Sequence, residues 1–143
     1  MILLDTNLLL YATISAYPQH VRSRDWFAAQ LGGTSRVALS WHSLLGYVCI
    51  ASHRGVFKNG PSVDDAWNEV RRWLALDHVW IPSATERHAD VISDLLATSK
   101  VRSQDVMDIH LAALAIEHGL TLCSADDDFA RYRGLRVLNP LIP

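Results

Sequence analysis

Met1-Ile2-Leu3-Leu4-Asp5-Thr6-Asn7-Leu8-Leu9-Leu10-Tyr11-Ala12 opens the chain, and its reading decides the fold. Ile2–Leu4 is a short all-apolar run, the pattern of a strand buried on both faces. Asp5 ends that run, and Thr6-Asn7 starts a helical apolar stretch through about Ile14. An acid directly after a buried strand is the position to weigh for function.

Outward from this stretch the same alternation recurs. Tyr17-Pro18 breaks the first helix, and His20–Leu31 reads as a second helix closed by Gly32-Gly33. Arg36–Leu39 is a second short strand. Ser40 is placed to cap the next helix, which carries Leu44, Leu45 and Val48 and runs to about Ala51. His53–Pro61, with two glycines, a proline and two basic residues, is the longest loop. Ser62 and Asp65 resemble a capping box before a stripe of Ala66, Val70, Trp73 and Leu74; Ser83 and Glu86 repeat the pattern before Val91, Ile92, Leu95 and Leu96. Val79–Ile81 reads as a strand. Asp105–His118 reads as a buried helix ended by Gly119, followed by strands at Leu120–Cys123 and Val137–Leu138.

Short apolar strands alternating with longer helices predict a parallel sheet with βαβ crossovers, an α/β sandwich. The 143 residues suit one domain spanning 1–143, with no repeat, linker or low-complexity tract. Half the residues are hydrophobic and 20% are charged, which excludes disordered and fibrous classes. No apolar run approaches the roughly 18 residues of a membrane span, and the first residues lack the basic region of a signal peptide. Two cysteines make no disulfide framework. The expectation is a reduced cytoplasmic protein in which Cys49 and Cys123 are buried free thiols. A net charge of −2 argues only weakly against nucleic acid, because acids that face a metal do not face the ligand.

In open α/β sheets the ligand site lies beyond the carboxyl ends of the strands. Asp5 follows the first strand and Asp126 follows Leu120–Cys123 within three residues. Asp108 lies in the first turns of the helix leading into that strand, with Asp105 one turn earlier on the same expected face. Converging carboxylates are costly without a cation: two unit charges about 4 Å apart repel by roughly 4 kcal/mol at an effective dielectric near 20. Mg²⁺ or Mn²⁺ relieves that cost, activates water and neutralises a phosphodiester. Each acid also has an ordinary explanation, as a helix cap or as a favourable charge in a first turn.

At these residues the sequence resembles the PIN-domain family, in particular the VapC-type toxins of bacterial toxin–antitoxin pairs. The likeness is carried by Met1-Ile-Leu-Leu-Asp5-Thr-Asn7, by Asp105-Val-Met-Asp108-Ile-His-Leu-Ala-Ala-Leu-Ala-Ile-Glu-His-Gly119, and by Ser124-Ala-Asp126-Asp-Asp128-Phe129. The resemblance implies a three-layer α/β/α sandwich with a mostly parallel central sheet. It implies a Mg²⁺- or Mn²⁺-dependent endoribonuclease acting on structured RNA such as tRNA, a cognate VapB-type antitoxin and a homodimer. Asp5, Asp108 and Asp126 look like three of the family's metal-site acids, and Asp105 occupies a position that is acidic in some relatives.

One departure stands out. The family's helix after the second strand usually carries a glutamate in a Glu-Phe-Leu-Arg-like stretch. Here Leu45-Gly46-Tyr47-Val48-Cys49-Ile50 puts Gly46 in its place, and no acid occurs between Asp25 and Asp64. Asp105 and His42, a turn before Gly46, are the candidates to substitute. Arg131 and Arg133, with Lys100 and Arg102, are candidates to hold RNA phosphates; Thr6 and Ser124 abut the key acids. Two alternatives remain beside the nuclease: a degenerate PIN-like module that binds RNA or antitoxin with weak or no cleavage, and an aspartyl-phosphate transferase using Asp5. The second lacks the further acid expected two residues after Asp5.

Overall fold

The computed structural model describes residues 1–143. Five strands, β1 (Ile2–Leu4), β2 (Val37–Ala38), β3 (Val79–Trp80), β4 (Thr121–Cys123) and β5 (Arg136–Leu138), form one sheet in the order β3-β2-β1-β4-β5. Every pairing is parallel. Six helices complete the chain: α1 (Thr6–Thr13), α2 (His20–Gly32), α3 (Trp41–Ala51), α4 (Val63–Leu74), α5 (His88–Thr98) and α6 (Val106–Glu117).

The central strands are apolar on both faces because both faces are covered, whereas the edge strand β5 leaves Arg136 and Leu138 exposed. Leu3, Ala38 and Leu122 turn into a core with Leu95 of α5 and Ile109–Ala115 of α6. Their neighbours Leu4, Val37, Leu39 and Cys123 turn the other way, into a core with α1, α2, α3 and α4 that includes Leu8, Phe27, Leu44 and Trp73. The period-two alternation along β1 thus assigns helices to opposite layers, giving the α/β/α sandwich expected. No helix is long and apolar enough to cross a membrane.

The Ser62–Asp65 capping box forms, with the Asp65 N–H donating to Ser62 Oγ at 3.0 Å and the Ser62 N–H donating to Asp65 Oδ2 at 3.2 Å. The expected Ser83–Glu86 box does not. α5 starts later, at His88, without a side-chain cap, because tertiary bonds hold the preceding segment: Ser83 O accepts from His118 Nε2 at 2.7 Å, and Glu117 Oε1 accepts from Thr85 N and Oγ1 at 2.9 and 2.6 Å. Asp105 also differs from expectation. It ends a 3-10 turn, Ser103–Asp105, just before α6, rather than opening the α-helix itself. Cys123 is buried, but Cys49 is exposed, on the outer side of α3 with Trp41 and Leu45.

Candidate active site

The sheet register builds the site. Leu4 pairs with Cys123, and the Asp5 N–H continues the ladder by donating to Cys123 O at 2.9 Å. Asp5 and Ser124 therefore leave adjacent strand ends at the same level. Ser124, 1% exposed, donates from Oγ to Asp5 Oδ2 at 2.7 Å. The same hydroxyl accepts from Asn7 Nδ2 at 3.1 Å and from the Asp126 N–H at 3.0 Å. Asn7 Nδ2 also reaches Asp5 Oδ2 at 3.1 Å, and its Oδ1 accepts from the Ala125 N–H at 3.3 Å. Asp5 Oδ1 accepts from the Thr6 N–H at 2.7 Å, so Asp5 caps α1 while presenting its carboxylate at the sheet edge.

The structure thus brings Asp5 and Asp126 to one edge through Ser124, and α6 brings Asp108 to face them. Burial, followed by the charges of Asp5, Asp126 and Asp105, pushes the Asp108 carboxyl up to about 6, against a smaller opposing pull from Arg131. Burial also raises Asp5, opposed by the Ser124 and Thr6 hydrogen bonds, with the Asp126 charge adding to the rise. This is the signature of like charges gathered in partial isolation from water. Hard carboxylate oxygens are the donor set Mg²⁺ and Mn²⁺ select, so Asp5, Asp108 and Asp126 fit such an ion chemically. No three His, Cys, Asp or Glu side chains are yet close enough around one point to hold it.

Asp105 does not point freely into this space. It is 4% exposed, and both its oxygens are taken: Oδ2 by Arg102 Nε at 2.8 Å and Arg131 Nη2 at 3.0 Å, and Oδ1 by Arg102 Nη2 at 3.0 Å. These bonds, the Arg102 pair foremost, hold its carboxyl well below the usual carboxylate range. Arg131 is further fixed by donating to Tyr132 Oη at 2.9 Å, its guanidinium 5.0 Å from that ring's centre. Arg133 instead lines a separate cavity with Arg87 and Asp94.

Gly46 is committed by packing. A Cβ there would stand 3.0 Å from Thr6 Oγ1 and 3.4 Å from Thr6 Cγ2, and the Thr6 hydroxyl is held by donation to Ser43 O at 3.2 Å. α3 therefore packs tightly on the start of α1, and a side chain at position 46 requires Thr6 to give way by a few tenths of an ångström. His42 sits near enough for its charge to lower Asp5. Sequence reading missed the orienting role of Asn7; its signal was the position two residues after Asp5 in the first turn of α1.

A family model described as the PIN domain matches residues 2–135, and the chain belongs to the PIN-domain family. Its likeness is to the VapC-type ribonucleases. Ribonuclease VapC33 of Mycobacterium tuberculosis is 37% identical over 141 residues, 99% of both chains. Ribonuclease VapC37 of the same organism is 36% identical over 140 residues, 98% of this chain and 97% of its own. Two crystal structures share the fold. Mycobacterium tuberculosis VapC20, described as a Sarcin-Ricin loop cleaving toxin, superposes with a TM-score of 0.69 at 16% identity, over 95% of this chain and 99% of its own. The DNA-bound VapBC from Salmonella typhimurium gives 0.66 at 17% identity, over 98% and 99%.

Proposed function

We propose that this chain is a divalent-metal-dependent endoribonuclease, the toxin of a type II toxin–antitoxin pair, cleaving structured RNA such as tRNA. The observation that carries the reading is the placing of Asp5 and Asp126 at adjacent strand ends, tied together through Ser124 Oγ, with Asp108 of α6 turned toward them. Asp5, Asp108 and Asp126 would hold Mg²⁺ or Mn²⁺. Such an ion supplies water activation and neutralises charge on the phosphodiester when bound.

The chain's own residues do the rest. Ser124 and Asn7 hold the Asp5 carboxylate aimed at the sheet edge. Asp105 holds Arg131 beside Asp108, where the guanidinium can take a non-bridging phosphate oxygen. Asp105 thus serves the site as the positioning residue of an arginine rather than as a direct metal ligand, and it does not replace the glutamate absent at Gly46. A VapB-type antitoxin as partner is supported by the VapBC assembly among the structural neighbours. A homodimer and a cytoplasmic location complete the proposal.

The test is cleavage of total tRNA with Mg²⁺, with Mn²⁺ and with EDTA, by the wild type and by Asp108→Asn. Cleavage that needs the ion and is lost in Asp108→Asn supports the reading. Equal cleavage in EDTA, or none with either ion, overturns it; the latter is the outcome the binding-only module requires.

A further inference from the structure

A second cluster of polar groups lies at the same edge of the sheet, outside the acids. α3 begins with Trp41 and His42 straight after β2, and Pro82 to Ala84 follow β3; both segments are at the strands' carboxyl ends. With His110 and Leu114 of α6 they line a cavity of about 250 Å³. That is smaller than the roughly 300–1,000 Å³ of sites for drug-sized ligands, and suits a single ring system. The walls carry no lysine or arginine.

Behind the cavity runs a fixed chain of hydrogen bonds. The Glu117 side chain is fully buried; it accepts from Thr85 N and Oγ1 and is bonded by His88 Nδ1. His88 Nε2 meets His110 Nδ1 at 2.9 Å. An ionised Glu117 requires the His88 proton on Nδ1. Where His88 carries that one proton alone, its Nε2 accepts, His110 donates from Nδ1, and His110 Nε2 is left as a bare acceptor. Neither that nitrogen nor either ring nitrogen of His42 has a hydrogen-bond partner in the protein. The His42 and His110 rings stand 6.0 Å apart and nearly perpendicular, while Trp41 is 46% exposed.

We propose that this cavity is a nucleobase subsite of the nuclease, taking a base that offers an N–H edge to His110 Nε2 and packs against the rings of Trp41 and His42. The walls mix Trp41, Leu114 and the two histidine rings with Ser40 and Ser83; without a fixed cation they do not repay the desolvation of a phosphate, whereas rings beside hydroxyls suit a heterocycle turned out of its stack. His42 lies within electrostatic reach of Asp5, so the subsite adjoins the acids where the phosphodiester is cut. The assignment rests on the ribonuclease reading for its meaning, but its binding chemistry is testable alone. Glu117 and His88 are positioning residues that set the tautomer of His110.

The experiment titrates the metal-free full chain with the four nucleoside 5′-monophosphates and, as a control, ribose 5-phosphate, following the histidine ring resonances by NMR. Saturable shifts at His42 and His110, absent at His53 and unequal among the bases, are expected. His110→Ala should weaken the preferred nucleotide about tenfold; Glu117→Gln should weaken it in part. His42→Ala, whose ring bonds to nothing in the protein, provides a second variant if His110→Ala does not fold. No shift with any nucleotide, equal shifts with ribose 5-phosphate, or wild-type affinity in the folded variants overturns the subsite. Absence of tRNA cleavage by the wild type would sink the nuclease reading instead, leaving the nucleotide titration to decide this one.

Discussion

Ser124 and Asp5, 119 residues apart in sequence, share a hydrogen bond of 2.7 Å at the end of two paired strands. Through it a single buried hydroxyl aims one site carboxylate and, by accepting the Asp126 N–H, sets the backbone of a second. Ser124→Ala leaves the Asp126 N–H without its partner and Asp5 Oδ2 with Asn7 alone, a loss of about 1 kcal/mol at such partly exposed groups. Urea denaturation should show that loss, and Mn²⁺ titration should show weaker binding. Unchanged Mn²⁺ affinity would mean that Ser124 supports the fold without orienting the site.

Burial of Asp108, reinforced by the neighbouring carboxylates, makes the metal-free protein gain stability on mild acidification. Asp108 titrates at about 6 in the folded state against 3.8 in the unfolded chain. The folded state therefore binds the proton more tightly, and its stability rises as pH falls through 6 toward 4. His110 works in the opposite sense: burial first, then His88 and His42, lower its pKa, so the unfolded chain takes that proton first and stability falls below about 6.5. Subtracting Asp108→Asn from wild type isolates the carboxyl. Asp108→Asn should be the more stable at pH 7, with the gap closing toward pH 4; a gap independent of pH removes the clustered-acid account.

Metal binding should offset that ranking at neutral pH. Mn²⁺ at about a hundred times its dissociation constant adds roughly 2.7 kcal/mol to a protein that binds it only when folded. Thermal melting should show this shift in wild type and lose it in Asp5→Asn and Asp108→Asn, while Asp127→Asn, on the exposed turn after Asp126, keeps it. No shift at any Mn²⁺ concentration would refute the three-carboxylate centre.

Asp105→Asn and Asp108→Asn should fail in different ways. Asp105 neutralises Arg102 and Arg131, so its loss frees Arg131 from its place. Cleavage by Asp105→Asn should suffer mainly through KM, with Mn²⁺ affinity retained, whereas Asp108→Asn should lose kcat. Because its folded pKa is depressed, Asp105 contributes stability that is present above the unfolded carboxylate value near 4 and is lost as pH falls through the folded one. Its removal should flatten the acid limb below pH 4. Loss of Mn²⁺ affinity in Asp105→Asn would restore it as a ligand.

Gly46→Glu should not rebuild the family's usual ligand. The new Cβ meets Thr6 Oγ1 at 3.0 Å, and relieving such overpacking costs about 1–3 kcal/mol. That exceeds the roughly 1 kcal/mol gained by replacing a mid-helix glycine. The variant should melt lower than wild type without tighter Mn²⁺ binding, and Thr6→Ala combined with it should recover stability. A Gly46→Glu protein of wild-type stability with tighter binding would show that α3 can move aside.

The sequence by itself determined the layers and the location of the acids. Its all-apolar strands demanded cover on both faces, and the residues after Leu4 and Cys123 had to emerge where such sheets bind ligands. Those are local, periodic signals, and the Ser62–Asp65 cap is of the same kind. What only the tertiary structure decided depends on partners distant in the chain. Asp105 shares the expected spacing with Asp108, yet Arg102, three positions before it, and Arg131, 26 positions on, together take its carboxylate. Ser83 and Glu86 have a cap's spacing, but Glu117 and His118 hold that segment otherwise. Cys49 lies in an apolar stretch of sequence, yet faces outward because α3 buries its other side against α1 and α4. Periodicity specifies which residues need burial; which polar group answers another across the fold is set by packing, because opposite charges and hydrogen bonds act over a few ångströms of space, whatever the separation along the chain.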